Sequence, residues 1–249
     1  MRLIFQQTIY LLSAAALLPA YPFLYLQGQR LRRRIGVLPD AAGEKTGRYG
    51  DLPETANLLV LGESTVAGLG ARTHETALAG QFARFLSAKI GKSVRWRAIG
   101  KNGVTAKRAL IELVPQIPAD ENYDYILLGI GGNDVLKLSS PFKWRKDMTG
   151  FLRVMRERYP RAVIFMTNAP AVHLSPVLPQ PIKFLLGNLS LMHDKNSREF
   201  TAKLENVRYF HRPNDITVGF FADGIHPSEQ GYADWSERMI EFFSQKYQW

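Results

Sequence analysis

The 249-residue sequence contains no cysteine. This absence excludes disulfides, thiolate metal sites and a cysteine nucleophile, and cysteine usage does not reveal the redox compartment. A zinc site is also disfavoured, because the five histidines are scattered without an H-E-x-x-H or similar spacing. With 46% hydrophobic residues, the chain is long enough for one large α/β domain and too short to require two.

Charged residues are missing from the N-terminal segment between Arg2 and Arg30. Residues 3–26 are mostly apolar, and an apolar stretch of about 20 residues can span a bilayer as a helix. Pro19 and Pro22 shorten the regular helix, so a helix lying on the membrane surface is an alternative. A cleaved signal peptide fits less well, because a convincing small-x-small cleavage site is lacking.

Four arginines follow this apolar segment directly, in the basic flank Arg30–Arg34. By the positive-inside rule we expect the flank, and the domain after it, on the cytoplasmic face of the inner membrane, with export to the periplasm as the alternative. The predicted organisation is a membrane anchor with its basic flank (residues 1–34), a linker rich in Gly, Pro and small polar residues (35–56) and a globular domain (57–249).

Strand and helix patterns alternate along the predicted domain. Strands are predicted for residues 58–61, 94–99, 125–130, 162–166 and 207–210, and helices for residues 76–90, 105–114, 143–159 and 228–247. The alternation implies parallel βαβ units. We therefore predict an α/β fold, a three-layer α/β/α sandwich with a central five-stranded parallel sheet, preceded by an N-terminal hydrophobic helix.

The stretch from Asn57 to Gly68 changes abruptly from aliphatic to small and hydroxyl residues. Gly62 allows a sharp turn at the carboxyl end of the first strand, the edge at which open α/β sheets bind ligands. Ser64 follows, and we expect it close to the N-terminus of the next helix, where free N–H groups favour developing negative charge. A turn that only caps a helix is the alternative for this fragment taken alone.

Three further fragments lie at comparable positions in the predicted fold. Gly103 follows the second strand, Asn133 follows the third, and Asp223 and His226 precede the last helix. A serine hydroxyl becomes a nucleophile when a histidine accepts its proton and a carboxylate holds the other ring nitrogen. The backbone N–H groups of Ser64 and Gly103 and the side-chain amide of Asn133 are candidate donors for a tetrahedral oxyanion.

In this order, the four fragments resemble the sequence blocks of the SGNH (GDSL-like) hydrolase family, over roughly residue 57 to the carboxyl terminus. The matching blocks are Gly62-Glu63-Ser64-Thr65-Val66-Ala67-Gly68, Gly103, Gly131-Gly132-Asn133-Asp134 and Asp223-Gly224-Ile225-His226. The resemblance implies a flavodoxin-like sheet and ester hydrolysis through an acyl-serine intermediate, with no metal or other cofactor.

By the matching positions, the resemblance implies that Ser64 is the nucleophile, His226 the general base and then acid, and Asp223 the group that orients His226. Gly103 and Asn133 would join the Ser64 N–H group in the oxyanion hole. One position departs from the family pattern. The family usually has Asp directly before the serine, and this chain has Glu63, which puts the geometry of the turn in question.

Residues 169–191 combine four prolines with many aliphatic side chains. A long apolar loop over the carboxyl edge of a sheet is expected to form a lid or the wall of an acyl-chain site, and an irregular piece of core is an equal alternative. The candidate substrate contacts are His173, Leu174, Val177 and Leu178. For His173, a plain loop residue is the favoured interpretation.

Acidic residues are missing between Arg84 and Arg108, a stretch with eight cations in a chain of net charge +10. No zinc finger, RNP motif or basic zipper accompanies this charge, so a nucleic acid is not the expected partner. An anionic membrane leaflet is the simpler partner, and a solvated surface without a particular target is the alternative.

The sequence thus predicts a membrane-associated serine esterase, with a lipid or lysolipid ester as candidate substrate. Two other hypotheses remain open. In one, the acyl-serine passes its acyl group to a sugar or lipid hydroxyl, which makes the protein an acyltransferase. In the other, Glu63 distorts the turn and the chain is a catalytically silent, membrane-tethered binding domain.

Overall fold

The structure is a computed structural model that describes residues 2–247. The predicted ranges 1–34 and 57–249 extend beyond it at Met1 and at residues 248–249, which lie outside the described residues. The helices are α1 (Arg2–Leu17), α2 (Tyr21–Ile35), α3 (Leu78–Ile90), α4 (Ala106–Glu112), α5 (Gly132–Leu136), α6 (Pro141–Arg158), α7 (Ile182–Thr201) and α8 (Glu229–Lys246). The strands are β1 (Thr46–Tyr49), β2 (Thr55–Gly62), β3 (Ser93–Gly100), β4 (Tyr125–Gly129), β5 (Val163–Met166) and β6 (Val207–Tyr209).

The strands form one sheet in the order β1-β3-β2-β4-β5-β6. Strands β2 to β6 pair in parallel, and β1 adds an antiparallel edge on β3. Without β1 this is the flavodoxin-like order, in which the chain reverses its direction of winding between β2 and β4. The carboxyl ends of β2 and β4 are therefore the expected ligand-binding edge.

Neighbouring side chains along β2 point into two separate apolar layers. Leu59 and Leu61 pack with residues of α4 and α6, whereas Leu58 and Val60 pack with residues of α3 and α8. All four side chains are fully buried, and each such burial contributes roughly 1.5–3 kcal/mol. Helices thus cover both faces of the sheet, which confirms the predicted three-layer α/β fold.

Strand β1 lies inside the range 35–56 that was predicted to be a linker. It pairs with β3 from Thr46 opposite Arg97 to Tyr49 opposite Val94. The strand has four residues, and half-buried positions alternate with exposed ones. So short a run carries too little hydrophobic pattern to be recognised, and the sheet has six strands instead of the predicted five.

Helix α7 was also missed, because residues 169–191 were interpreted as a loop. The first part of this segment is irregular and includes a 3₁₀ turn at Val172–Leu174, but α7 begins at Ile182. Its buried face carries many polar side chains, which breaks the apolar period that would have predicted a helix. These buried polar residues are Ser190, His193, Asp194, Asn196, Ser197 and Thr201.

A 3₁₀ turn at Leu18–Ala20 joins α1 to α2. Together they form a helical segment from Arg2 to Ile35 that is long and apolar enough to cross a membrane, a test that a signal sequence also passes. Pro19 and Pro22 are the second residues of the 3₁₀ turn and of α2, within the first turn, where a missing N–H group costs little. The arginines predicted to follow the helix lie within its last turns.

The N-terminal helices rest on the α/β domain. The Tyr10 hydroxyl of α1 donates to the Leu138 carbonyl at 2.7 Å. The Gln27 side-chain amide of α2 donates to the Gln180 carbonyl at 2.9 Å, just before α7. The two helices therefore border the same end of the domain as α5 and α7.

Candidate active site

Ser64 lies in a series of turns directly after β2, and not at the start of a helix as predicted. Two backbone N–H groups of this turn donate to the Glu63 carbonyl at 3.0 and 2.9 Å. Gly68 and Gly70 have φ values of +81° and +94°, which end the turns before a helix can form. Since α3 begins only at Leu78, negative charge at Ser64 would have to be stabilised by individual donors.

Glycines at the strand ends let the Ser64 turn pack tightly. A Cβ atom on Gly62 would lie 2.2 Å from the Gly129 carbonyl oxygen of the neighbouring strand. A Cβ atom on Gly100 would lie 2.3 Å from the Ala67 backbone nitrogen. Both distances are too short for real atoms, so the position of the turn depends on glycine at both sites.

Glu63 points away from solvent and holds the loop after β4. Its carboxylate accepts hydrogen bonds from the backbone N–H groups of Gly132 at 2.6 Å and of Asn133 at 2.8 Å. It also accepts one from the Asn133 side-chain amide. Glu63, the residue that departs from the family pattern, thus connects the Ser64 turn to the Asn133 turn.

Burial controls the protonation of Glu63, which is 6% exposed. Loss of hydration raises the pKa of this carboxyl group to about 7, against the opposing effect of the N–H donors from residues 132–133. The protonated and ionised forms of Glu63 therefore both exist near neutral pH.

A second carboxylate, that of Asp134, connects the Asn133 turn to the start of α4. The buried Asp134 side chain accepts a hydrogen bond from the Ala106 N–H group at 2.8 Å, at the start of α4, and one from the Ser139 hydroxyl at 3.1 Å. Burial raises the pKa of Asp134. Through these two contacts Asp134 braces the Asn133 turn.

Gly103 has a φ of +80°, a conformation that favours glycine. A Cβ atom there would meet nothing within 4 Å, so the backbone conformation and not the lack of space explains the residue. The Lys137 ammonium group donates to the Gly103 carbonyl. This contact holds the carbonyl group of Gly103, the residue whose N–H group is a predicted oxyanion donor.

Asp223 and His226 form a direct pair on one turn before α8. The Asp223 Oδ2 atom lies 2.8 Å from Nδ1 of the His226 ring. Its Oδ1 atom accepts hydrogen bonds from the backbone N–H groups of Ile225 and His226 at 2.8 and 2.7 Å. Burial alone would raise the pKa of Asp223, but the His226 ring and these two donors outweigh it and lower the pKa.

A cleft of about 1060 Å³ brings the predicted catalytic residues together. Ser64, Gly103, Asn133 and His226 all line it, and Asp223 reaches it through His226. Its volume is at the upper end of the usual range for small-molecule sites, about 300–1,000 Å³. Residues 2–247 contain no group of three or more His, Cys, Asp or Glu side chains that could hold a metal ion.

The candidate substrate contacts are distributed differently from the prediction. Leu178 lines the cleft. His173 lines a separate cavity of about 220 Å³ instead. Val177 packs against Gly224, where an added Cβ atom would lie 2.5 Å from its side chain. Leu174 belongs to the 3₁₀ turn between these positions and is not among the cleft-lining residues of the described chain.

Helix α2 lines the same cleft, which was not predicted from the sequence. Its contribution spans the whole length of the helix and consists of Tyr21, Leu24, Tyr25, Gly28, Gln29, Leu31, Arg32 and Ile35. The signal available in the sequence was the glycine at position 28, between the larger side chains of Gln27 and Gln29. The role of Gly28 follows only from the tertiary structure, in which it faces Ile182 of α7.

The fold and the cleft together define a class of protein. A parallel sheet that gathers Ser64, Asn133 and an Asp223–His226 pair at its carboxyl edge has the arrangement of a serine hydrolase built on an α/β/α sandwich. Residues 60–233 match the GDSL-like lipase/acylhydrolase family. The protein belongs to this family, whose reaction is the hydrolysis of esters.

Individual relatives agree with this assignment. The chain is 24% identical over 214 residues to the GDSL-like esterase Rv1075c of Mycobacterium tuberculosis, covering 81% of this chain and 66% of that protein. It thus spans just under two thirds of this relative.

Solved structures share the fold at low sequence identity. The lipase Lip_vut3 from a goat rumen metagenome is 17% identical with a TM-score of 0.58, over 75% of this chain and 96% of that one. A family two carbohydrate esterase from Clostridium thermocellum, solved with cellohexaose, is 14% identical with a TM-score of 0.53, over 80% of this chain and 66% of that one.

Proposed function

We propose that the protein hydrolyses a carboxylic ester through an acyl-serine intermediate, with Ser64 as the nucleophile. The observation that carries this proposal is the shared cleft of Ser64 and His226, with the His226 ring held at 2.8 Å by Asp223. Since Asp223 engages Nδ1, Nε2 is the ring nitrogen that accepts the serine proton.

In the first step, the Ser64 oxygen attacks the ester carbonyl carbon while His226 takes the hydroxyl proton. The C–O bond to the alcohol then breaks, and His226 returns that proton to the leaving oxygen. Water repeats the sequence on the acyl-serine and releases the carboxylic acid. Asp223 remains ionised and stabilises the charged imidazole, which agrees with its lowered pKa.

The oxyanion is assigned to three donors, the N–H groups of Ser64 and Gly103 and the Asn133 side-chain amide. A primary amide has two N–H bonds. One of those on Asn133 is given to Glu63, which fixes the orientation of the other. Such preset donors typically contribute a factor of about 10²–10³ each to the rate.

A lipid ester is the proposed substrate class, in preference to a sugar ester. The cleft that Ser64 lines has a wall of aliphatic residues from α2 and α7, including Leu31, Ile182 and Leu186. The membrane-like segment from Arg2 to Ile35 supplies one of these walls. An apolar wall on a membrane-associated element suits a substrate that partitions into lipid.

Ester turnover by matched variants tests the serine mechanism. We expect full-length protein in mild detergent to hydrolyse p-nitrophenyl butyrate, with kcat/KM reduced about 10⁴–10⁶-fold in Ser64→Ala and about 10³–10⁴-fold in Asp223→Asn. The exposed Ser13→Ala serves as the control and should match the parent. A Ser64→Ala variant as active as the parent would show that another group is the nucleophile.

A further inference from the structure

Helix α2 and the start of α7 face each other across an apolar part of the cleft. From α2 come Leu24, Gly28 and Leu31, and from the opposite side come Leu178, Ile182 and Leu186. Leu31 and Ile182 also pack against a small buried cluster of Val135, Val172, Leu178 and Leu186. The N-terminal helix is therefore part of the wall of the site as well as a candidate anchor.

This apolar part of the cleft connects to the turn of the oxyanion donor Asn133 through α5. The leaving alcohol must depart next to His226, because His226 protonates it. The apolar cluster includes Val135 of α5, two residues after Asn133, and it also borders the His226 turn, because Val177 beside Leu178 packs against Gly224. An ester series that varies only the acyl chain tests whether a hydrocarbon chain in this region belongs to the acyl group.

Gly28 leaves the space between the two walls open. An added Cβ atom there would lie 4.0 Å from the Ile182 side chain, in ordinary contact and without a clash. Its neighbours on the same side of α2, Leu24 and Leu31, are bulky by comparison. A larger side chain at position 28 would extend toward Ile182, across the space between the two walls.

We infer that α2 and α7 form a binding site for the hydrocarbon chain of a medium- or long-chain acyl ester, and that Gly28 sets the chain length that fits. The inference rests on the proposed ester hydrolysis at Ser64 and names its substrate class. It assigns to the N-terminal helix a specificity role that membrane attachment alone would not require.

The test compares chain-length profiles of full-length variants in the same detergent. The kcat/KM ratio of the p-nitrophenyl decanoate to the acetate is measured for the parent, Gly28→Leu and Gly28→Trp. We expect this ratio to fall by at least about 10-fold in Gly28→Trp, with a smaller fall in Gly28→Leu, because several methylenes lose their buried site. Leu26→Trp is the matched control, since Leu26 is 55% exposed and belongs to α2 outside the cleft lining.

Two results would overturn the inference. One is a decanoate-to-acetate ratio in Gly28→Trp that equals the ratio in Leu26→Trp. The other is a loss of activity that is uniform over all chain lengths, because it would indicate a structural effect and not a chain-binding role. Both differ from failure of the proposed function, in which the parent protein itself hydrolyses no ester of any length.

Discussion

The Glu63 carboxyl group occupies a buried position where N–H donors from Gly132 and Asn133 converge. An aspartate is shorter by one methylene, so its carboxylate would not reach these donors from the same backbone position as Glu63. Its contacts are to a loop about 70 residues away in the chain. The sequence therefore marked Glu63 as a departure from the family pattern, but the partner of its carboxylate came only from the fold.

The titration of Glu63 predicts a pH dependence of stability. Its pKa is raised to about 7 in the folded protein from 4.5, so the folded state holds the proton more tightly. The stabilisation is fully present below about pH 4.5 and is lost as the pH rises through about 7, a change on the order of 3 kcal/mol. The free energy of unfolding of the parent should thus fall over this range relative to that of Glu63→Gln, which cannot ionise.

Urea unfolding in mild detergent at a series of pH values measures this difference. Glu44→Gln is the control, because Glu44 is exposed and its replacement should preserve the pH profile of the parent. Parallel profiles for the parent and Glu63→Gln would show that the carboxyl group at position 63 does not titrate in this range.

At the scale of elements, the predictions that agree best with the structure are those for segments with a sustained hydrophobic period. Helices α3, α6 and α8 appeared at the predicted places within two or three residues. Strand β1 and helix α7 were missed for different reasons. The strand has only four residues, and the buried face of the helix is lined with polar side chains that find partners only in the folded protein.

The contacts of His193 show why α7 could not be predicted from the local sequence pattern. The His193 ring is stacked on Trp144 of α6 with 5.1 Å between ring centroids, and its Nε2 atom lies 2.9 Å from the Ser139 carbonyl. Burial lowers the pKa of His193 to about 4. His193 is therefore part of the packed core. The spacing of the residues in the sequence does not distinguish such a histidine from one at the surface.

The contact between the ends of β2 and β4 predicts a strong effect of a small substitution. In Gly62→Ala, the new methyl group would meet the Gly129 carbonyl oxygen at 2.2 Å. Because the strands must separate or the Ser64 turn must shift, we expect a loss of stability of about 1–3 kcal/mol together with reduced ester hydrolysis.

Gly150→Ala provides the matched control for this substitution. Gly150 lies inside α6, and an added Cβ atom would meet nothing within 4 Å. Alanine there should stabilise the protein by about 0.5–1 kcal/mol through its better helix propensity. Thermal unfolding of both variants gives the comparison, and equal shifts for the two would contradict the steric interpretation of Gly62.

At the scale of the whole molecule, the N-terminal helices that are predicted to form a membrane anchor also take part in the site, since α2 lines the cleft. Residues 1–34 were predicted as an anchor with its basic flank from composition. The contacts of α1 with α6 and α7, and the place of α2 in the cleft, depend on the tertiary structure, as does the hydrogen bond from Gln27 to Gln180. We therefore expect these residues to be retained in the mature protein.

Fractionation followed by intact mass measurement checks this retention. The protein should remain with the membranes after a wash in 1 M salt, because an apolar helix of this length does not depend on charge for binding. Its mass should include residues 3–26. A shorter protein that lacks this segment would identify it as a cleaved signal peptide and would remove α2 from the site.

The most direct test of the central claim is covalent labelling of Ser64 by a fluorophosphonate. Full-length protein and its Ser64→Ala variant are treated with the probe in mild detergent, and their intact masses and modified peptides are compared. The proposed mechanism predicts one adduct, on Ser64, that is absent from Ser64→Ala. A folded parent protein that remains unlabelled, or an adduct that persists in Ser64→Ala, would contradict it.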